Sequence, residues 1–290
     1  MTSLPEKPGF PKATIIGKPV SHARSPLIHG FWLRQMGLEG HYDRLEVEPG
    51  GVAEAFAKLR AEGYRGGNVT VPHKEEAFAA CDAVSDAARI AGAVNTFWFD
   101  NGRTHGDNTD GSGFVAHLDA IYPGWDTRKP NVLVMGAGGA ARGVIVPLLN
   151  RPVGPMTIVN RSSERARILS ADIARARPGT ALAVEEWSAL GRLLPQTDLL
   201  INTTSLGMKG QPPLELPLAL LPPEAIVADI VYVPLETPLL AAARARGLHT
   251  LDGLGMLLHQ AVPGFERWFG ATPVVDEALR AYILADLAGK

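Results

Sequence analysis

The stretch "VLVMGAGGAARG" constrains the fold of this 290-residue chain more than any other. It leads from an apolar strand into a helix, with Gly136, Gly138 and Ala141 at the three positions of a G-x-G-x-x-G/A turn. Small residues at these positions permit a tight turn, close approach of the backbone to a pyrophosphate and close packing of the helix. The N–H groups at the helix N-terminus then face the phosphates. The pattern predicts a Rossmann-type unit that binds a dinucleotide.

Short β-rich runs alternate with helical patterns along the whole chain, which indicates an α/β fold. After the glycine-rich turn the strand candidates "MTIVN", "LLINTT" and "IVADIVY" are nearly continuous apolar runs, as expected for a parallel sheet with helices on both faces. Before it, Ser25 is placed to cap a helix that Gly37 ends. Asn101-Gly102 lies between two alternating segments and predicts a type I′ hairpin.

The hairpin and the connector "YPGWDTRKP" divide the βα series into two, so we predict two domains. The first covers residues 1–109, and the second, a doubly wound parallel sheet, covers 110–252. Residues 253–290 form amphipathic C-terminal helices, and their pattern alone does not decide which domain they pack against.

Composition excludes several classes of partner. The formal charge is −2 and the Lys and Arg residues are scattered, so we expect no nucleic-acid partner. Cys81 is the single cysteine, which rules out an intrachain disulfide and fits a reducing cytoplasm. No run approaches the roughly 18 apolar residues of a membrane span, and the start lacks the apolar core of a signal peptide. We therefore predict a cytoplasmic protein with a small-molecule partner, and the histidine spacing predicts no metal site.

The segment "VNRSSERAR" decides which dinucleotide is expected. NAD-binding folds usually carry an acidic residue here for the ribose hydroxyls, whereas this chain offers amide, hydroxyl and guanidinium donors. Guanidinium groups pair well with phosphate, so the segment favours NADP over NAD. The alternative is that the arginines simply form a solvated helix start.

Three further segments carry candidate chemistry. "GGNVTVPHKEEAF" places Thr70 and Lys74 at a strand end and the first turn of the next helix, "AGAVNT" contributes Asn95 and "GDNTDGSG" contributes Asp110. Asn95 and Asp110 lie next to the predicted domain boundary, where a cleft would form. Lys74 beside two glutamates would by itself be interpreted as a surface residue.

Taken together, nine motifs resemble those of the shikimate dehydrogenase family, in the same order and over nearly the whole chain. They are "GKPVSHARSPLIHG", "GGNVTVPHKEEAF", "AGAVNT", "GDNTDGSG", "GAGGAARG", "NRSSERA", "INTTSLGM", "DIVYVPLETPLL" and "DGLGMLLHQAVPGFERW". The resemblance implies that the first domain binds substrate, the second binds NADP, and the final helices return to the first domain.

The resemblance also implies roles for individual residues. Lys74 and Asp110 correspond to the catalytic pair: Lys74 supplies a proton to the ketone oxygen during hydride transfer, and Asp110 holds the ammonium group. The implied substrate-binding residues are Ser25, Thr70, Lys74, Asn95, Asp110, Tyr232 and Gln260. The implied cofactor-binding residues are Asp86, Gly136, Ala137, Gly138, Gly139, Ala140, Asn160, Arg161, Ser162, Ser163, Glu164, Arg165, Ile230 and Gly253.

The activity implied is the reversible NADPH-dependent reduction of 3-dehydroshikimate to shikimate, on the route to chorismate and aromatic amino acids. Two alternatives stay open: a quinate or aminoshikimate dehydrogenase, and a non-catalytic NADP-binding regulatory protein. A two-domain folate-type dehydrogenase is disfavoured because it gives no reason for the serine-rich loop or the Gln260 motif. The sequence does not determine the oligomeric state, and a homodimer is one possibility.

The first loop departs from the family. Shikimate dehydrogenases usually carry two serines there, one residue apart, whose hydroxyls hold the substrate carboxylate. Here Ser25 matches the second, but Ala23 replaces the first. Ser21, Arg24 or a water molecule are the candidates to supply the lost hydrogen bond.

Overall fold

The computed structural model describes residues 10–289, which fall into two compact units. The first unit contains the residues up to Ala88, Gly92–Asp107 and the chain from Ala261 onward; the second contains Arg89–Ala91 and Asn108–Gln260. The helix that follows residue 252 is thus part of the second unit, and the helices after Gln260 are part of the first. The functional role of each domain stays a prediction.

The first unit is built on a mixed six-stranded sheet in the order β2-β1-β3-β5-β6-β4. Its strands are β1 (Lys12–Gly17), β2 (His41–Glu46), β3 (Tyr64–Val69), β4 (Ala83–Val84), β5 (Thr96–Asp100) and β6 (Arg103–Asp107). Its helices are α1 (Ser25–Gln35), α2 (Val52–Ala61), α3 (Lys74–Ala80), α11 (Val262–Phe269) and α12 (Glu277–Ala288), and α4 (Asp86–Ala91) passes from the first unit into the second. Strands β1, β2 and β3 are parallel, whereas β5 runs antiparallel to both β3 and β6.

The β5–β6 connection is the predicted hairpin. Asn101 and Gly102 both have positive φ, 48° and 75°, and Asp100 pairs with Arg103. Two successive residues with positive φ define the type I′ turn, which matches the twist of the strands, so this prediction is confirmed.

The start of α1 differs from the prediction. Arg24, not Ser25, is the N-cap residue, and the Arg24 side chain makes no capping hydrogen bond. Ser25 is the first helical residue and is followed by Pro26, so the prediction of a Ser25 cap is wrong. Gly37 follows the last turn with a φ of 62°, as expected for a helix end.

The second unit contains a fully parallel sheet in the order β12-β11-β10-β7-β8-β9. If β7 is counted as strand 1 and β12 as strand 6, the order read from β9 is 3-2-1-4-5-6. This is the strand order of a Rossmann fold. The strands are β7 (Val132–Met135), β8 (Met156–Val159), β9 (Ala183–Glu185), β10 (Leu199–Asn202), β11 (Ile226–Asp229) and β12 (His249–Leu251). The helices are α5 (Asp110–Ile121), α6 (Gly139–Leu148), α7 (Ser163–Ala176), α8 (Leu190–Leu193), α9 (Pro238–Ala245) and α10 (Gly253–His259), with short 3₁₀ turns at Trp187–Ala189, Leu194–Gln196 and Leu218–Leu220.

Strand β7 shows why these runs are apolar throughout. Val132 and Val134 pack into the core on one face of the sheet, and Leu133 and Met135 pack into the core on the other. All four are buried, because helices cover both faces. The predicted doubly wound parallel sheet is confirmed. Within residues 10–289, no helix is long and apolar enough to cross a membrane.

Candidate functional site

The glycine-rich turn lies between β7 and α6 at the carboxyl edge of the parallel sheet. Gly136 has a φ of 116°, and a Cβ there would lie 2.5 Å from Thr203 Oγ1, so only glycine fits. Gly138 and Gly139 are exposed, and a Cβ on either would meet no atom within 4 Å. The first intrahelical bond runs from Arg142 N to Gly138 O, so the preceding amides of α6 point out of the helix end. An open cradle of amides at a helix N-terminus fits a dinucleotide pyrophosphate.

The next strand end supplies the basic segment. Ser162 is the N-cap of α7, where its hydroxyl accepts from Arg165 N at 3.5 Å, and Asn160 Nδ2 donates to Ser162 O at 2.9 Å. These bonds fix the loop, while Arg161 and Arg165 are exposed. The arrangement fits an anionic group such as the 2′-phosphate of NADP.

The other predicted cofactor positions of this unit meet at the end of β11. A Cβ on Gly253, the first residue of α10, would lie 2.1 Å from Ile230 O, so the start of α10 lies directly against Ile230. Tyr232 follows on the same loop and is half-buried. These three residues, predicted separately from two motifs, are thus close together in the second unit.

Asp110 and Gln260, from distant parts of the sequence, are brought close by the packing of α10 on α5. Asp110 is the first residue of α5, and the hydroxyl of the preceding Thr109 donates to Gln260 O at 2.9 Å. Gly113 allows this approach, since a Cβ there would lie 2.6 Å from Gln260 N.

In the first unit, Thr70, Lys74 and Asn95 lie at the carboxyl edge of β3. Val69 N donates to Asn95 O at 2.8 Å, and Val94 N donates to Lys74 O at 2.9 Å. The predicted substrate-binding residues of this unit are therefore tied together through the backbone. Lys74 begins α3 and is half-buried.

Ser25 is connected to this edge through a buried polar chain. Asn68 Nδ2 donates to Asn95 O at 3.2 Å and to Thr96 Oγ1 at 3.1 Å, so its Oδ1 accepts the proton of the Tyr42 hydroxyl at 2.6 Å. Burial raises the pKa of Tyr42 well above its usual value, and a hydrogen bond from Ser25 partly opposes this. Because the Tyr42 hydroxyl donates to Asn68, its oxygen can only accept from other neighbours, Ser25 among them.

Asp86 and His73, also in the first unit, differ from each other in burial. Asp86 is the exposed first residue of α4. His73, which could equally have been a surface residue, is 1% exposed, and its Nε2 lies 2.7 Å from Val47 O. His73 therefore anchors the start of α3.

Sequence reasoning missed Tyr42 and Asp229, two buried polar residues that organise these edges. Tyr42 is 8% exposed and Asp229 is 1% exposed. The available signal for Asp229 was a carboxylate inside the apolar run "IVADIVY"; for Tyr42 there was none, because an aromatic residue in a strand is ordinary.

Family models match three parts of the chain: the shikimate dehydrogenase substrate binding domain over residues 15–97, shikimate / quinate 5-dehydrogenase over 120–208, and the shikimate 5'-dehydrogenase C-terminal domain over 253–281. A protein of Azorhizobium caulinodans named shikimate dehydrogenase (NADP(+)) is 51% identical over 96% of this chain and 98% of its own length. The chain belongs to the shikimate dehydrogenase family.

Solved structures of the shikimate dehydrogenase family show the same fold. The Thermus thermophilus shikimate 5-dehydrogenase in complex with NADP(H) and shikimate is 34% identical, with a TM-score of 0.82 over 95% of this chain and 100% of that one. A quinate dehydrogenase from Corynebacterium glutamicum in complex with NAD is 30% identical, with a TM-score of 0.86 over 95% of this chain and 99% of that one. Each of these two solved structures therefore matches both units of this protein.

Proposed function

We propose that this protein catalyses the reversible NADP-linked reduction of 3-dehydroshikimate to shikimate. The observation that carries the proposal is the meeting of Lys74, Thr70 and Asn95 at one sheet edge of the first unit, a proton donor beside hydroxyl and amide groups. The second unit adds the glycine-rich cradle and the basic loop. The relatives named NADP-dependent shikimate dehydrogenases, at about half identity over nearly the whole chain, support the same activity.

The residues divide the chemistry as follows. NADPH, when bound, supplies the hydride, and the ketone oxygen gains negative charge that must be neutralised. Lys74 donates a proton to that oxygen and recovers it in the reverse direction, with Asp110 as its partner. The polar groups assigned to the substrate hydroxyls and carboxylate belong to Ser25, Thr70, Asn95, Tyr232 and Gln260. The cofactor is assigned to the glycine-rich turn, the "NRSSER" segment, Asp86, Ile230 and Gly253.

Steady-state rates with shikimate and quinate, each with NADP and NAD, test the assignment. We expect shikimate with NADP to give the highest kcat/KM. Arg161→Ala should raise the KM for NADP by about 10–100-fold, because a charge-assisted bond to phosphate is lost, while the KM for NAD changes little. The matched control is Arg167→Ala, an exposed arginine further along the same helix. A higher kcat/KM with quinate and NAD would overturn the proposal, and no turnover with any pair would favour the regulatory protein.

Ala23 is the observation that keeps a quinate or aminoshikimate dehydrogenase as the second candidate. The carboxylate loop lacks one hydroxyl, and the remaining Ser25 hydroxyl interacts with Tyr42. The Ala23 carbonyl accepts from Arg44 Nη2 at 2.8 Å, which holds the loop in place. We therefore expect a lower affinity for a substrate carboxylate than the two-serine pattern of the family would give.

Restoring the missing hydroxyl gives a direct test. We expect Ala23→Ser to lower the KM for shikimate about fivefold and leave kcat within about twofold, since one hydrogen bond contributes roughly 1 kcal/mol. Steady-state kinetics on Ser21→Ala serves as the companion measurement, because Ser21 is the nearby exposed hydroxyl. An unchanged KM in Ala23→Ser, with a raised KM in Ser21→Ala, would show that Ser21 already supplies the bond.

The cytoplasmic location and the homodimer stay predictions of the sequence. Size-exclusion chromatography with light scattering measures the oligomeric state directly.

A further inference from the structure

A buried carboxylate, Asp229, ends β11 in the second unit and joins two loops. Its Oδ1 accepts from Asn202 Nδ2 and from Val231 N, both at 3.0 Å, and its Oδ2 accepts from Thr237 Oγ1 at 2.7 Å. The side chain is 1% exposed. One carboxylate therefore binds the end of β10 and both ends of the loop 230–237, which we call the Tyr232 loop.

Asn202 extends the network into the loop 203–206, which we call the Thr203 loop. Asn202 Oδ1 accepts from Thr204 N at 3.0 Å and from Thr204 Oγ1 at 2.7 Å. Its Nδ2 also donates to Leu206 O at 3.2 Å. Since the amide is bonded on both sides, its orientation is determined, and the Thr203 loop is held to the same centre as the Tyr232 loop.

Both loops contact positions assigned to the cofactor. Thr203 Oγ1 donates to Met135 O at 2.7 Å and lies against Gly136 of the glycine-rich turn. Ile230 N donates to Asn202 O at 3.1 Å, and Ile230 O lies against Gly253. Movement of Asp229 would therefore be transmitted to both sides of the carboxyl edge of the sheet.

Burial of the charged Asp229 carboxylate destabilises the folded state. Burial raises the pKa of Asp229 to about 6, and the hydrogen bonds from Thr237, Val231 and Asn202 lower it without offsetting the burial. An apolar or amide side chain would avoid the desolvation of a charge. A buried carboxylate that lowers stability and joins the Thr203 and Tyr232 loops indicates a role beyond stability.

We propose that Asp229 is a positioning residue: it holds the Thr203 and Tyr232 loops in register, so that Ile230 and Tyr232 are presented to the reacting half of the cofactor and to the substrate. This inference rests on the proposed function for the roles of Ile230 and Tyr232. It does not depend on which polyhydroxylated ring is the substrate.

Kinetics of variants at both ends of the network test the proposal. We expect Asp229→Ala to lower kcat/KM about 100-fold, as a misplacement of about 1 Å can do. Thr237→Val should lower it about tenfold, because the variant loses the bond to Asp229 and the N-cap bond that Thr237 Oγ1 accepts from Leu240 N at 3.3 Å. Thr237→Ser, which keeps the hydroxyl and both bonds, should restore most of the rate. The matched control is Thr197→Val, a buried hydroxyl that donates to Leu193 O at the amino-terminal end of the same sheet, where the change should be within about twofold.

Binding of a cofactor fragment separates positioning from general damage to the domain. The probe is 2′,5′-ADP, which contains the adenosine and 2′-phosphate but no nicotinamide. We expect its Kd to be unchanged within about twofold in Asp229→Asn and Thr237→Val, because the 2′-phosphate is assigned to the "NRSSER" segment. The Kd for NADPH should rise, because the whole dinucleotide also extends to Ile230 at the Tyr232 loop. Equal losses for both ligands, or normal kcat/KM in Thr237→Val, would overturn the proposal.

The same measurements distinguish a failure of the proposed function from a failure of the role proposed for Asp229. If the wild type does not oxidise shikimate, the proposed function fails by itself. The ratio of NADPH to 2′,5′-ADP affinity still tests Asp229, since it needs no substrate. Should Asp229→Ala fail to fold, Asp229→Asn and Thr237→Val give the answer.

Discussion

We expect Lys74→Ala to lower kcat for shikimate oxidation by about 10²–10⁴-fold, the usual contribution of a general acid or base. The hydroxyl must lose its proton as the hydride leaves its carbon, and the variant has no group to receive that proton. The Kd for NADPH should stay within about twofold, since Lys74 belongs to the first unit and the cofactor positions around the glycine-rich turn belong to the second. Stopped-flow or steady-state kinetics with fluorescence titration of NADPH provide both values.

Asp110→Ala should show a similar loss, and the double variant Lys74→Ala/Asp110→Ala should lose little more than either single variant. Residues that act as a unit are strongly non-additive in this way. Lys58→Ala, an exposed lysine of α2, is the matched control and should leave kcat unchanged. Additive losses would show that the two residues act separately, and normal turnover in both single variants would remove them from catalysis.

The second large effect is expected on acid stability and comes from His29. The His29 ring is fully buried, stacked on Tyr42 at 4.2 Å between ring centroids and edge-on to Trp32 and Trp268. Among residues 10–289, neither ring nitrogen has a hydrogen-bond partner. Burial lowers the pKa of His29 from 6.5 to about 3.

The sign of the effect follows from proton binding. Between pH 6.5 and 3 the unfolded chain holds a proton at His29 and the folded chain does not, so the free energy of unfolding decreases as the pH falls. It is unaffected by His29 above pH 6.5. The total loss is about 5 kcal/mol if the whole interval is crossed.

His29→Leu should remove this part of the pH dependence, because leucine has a similar volume and no proton to bind. Urea unfolding followed by tryptophan fluorescence at several pH values measures it, since Trp32 and Trp268 contact the ring. His22→Leu, at an exposed histidine upstream, is the control and should follow the wild type. A wild-type slope that persists in His29→Leu would show that other groups cause the acid sensitivity.

Some features of the fold and the candidate site could be predicted from the sequence, and others could not. The glycine-rich turn, the type I′ hairpin and the apolar parallel strands depend on local rules of backbone conformation and burial, and the structure shows all three. Residues such as Asp229 and Tyr42 could not be ranked in advance, because their importance lies in partners that are 26 and 27 residues away in the chain, as in the Tyr42–Asn68 and Asn202–Asp229 bonds.

The opening loop shows the same division within one segment. The sequence alone determined that Ala23 replaces a hydroxyl and that Ser25 is present, and the motif order determined the family and the expected chemistry. Only the tertiary structure decided that Ser25 is not a helix cap and that the Tyr42 proton is directed to Asn68. The physical reason is that the direction of a hydrogen bond depends on every partner in its network, and Asn68, Asn95 and Thr96 become neighbours only when β3 and β5 pair.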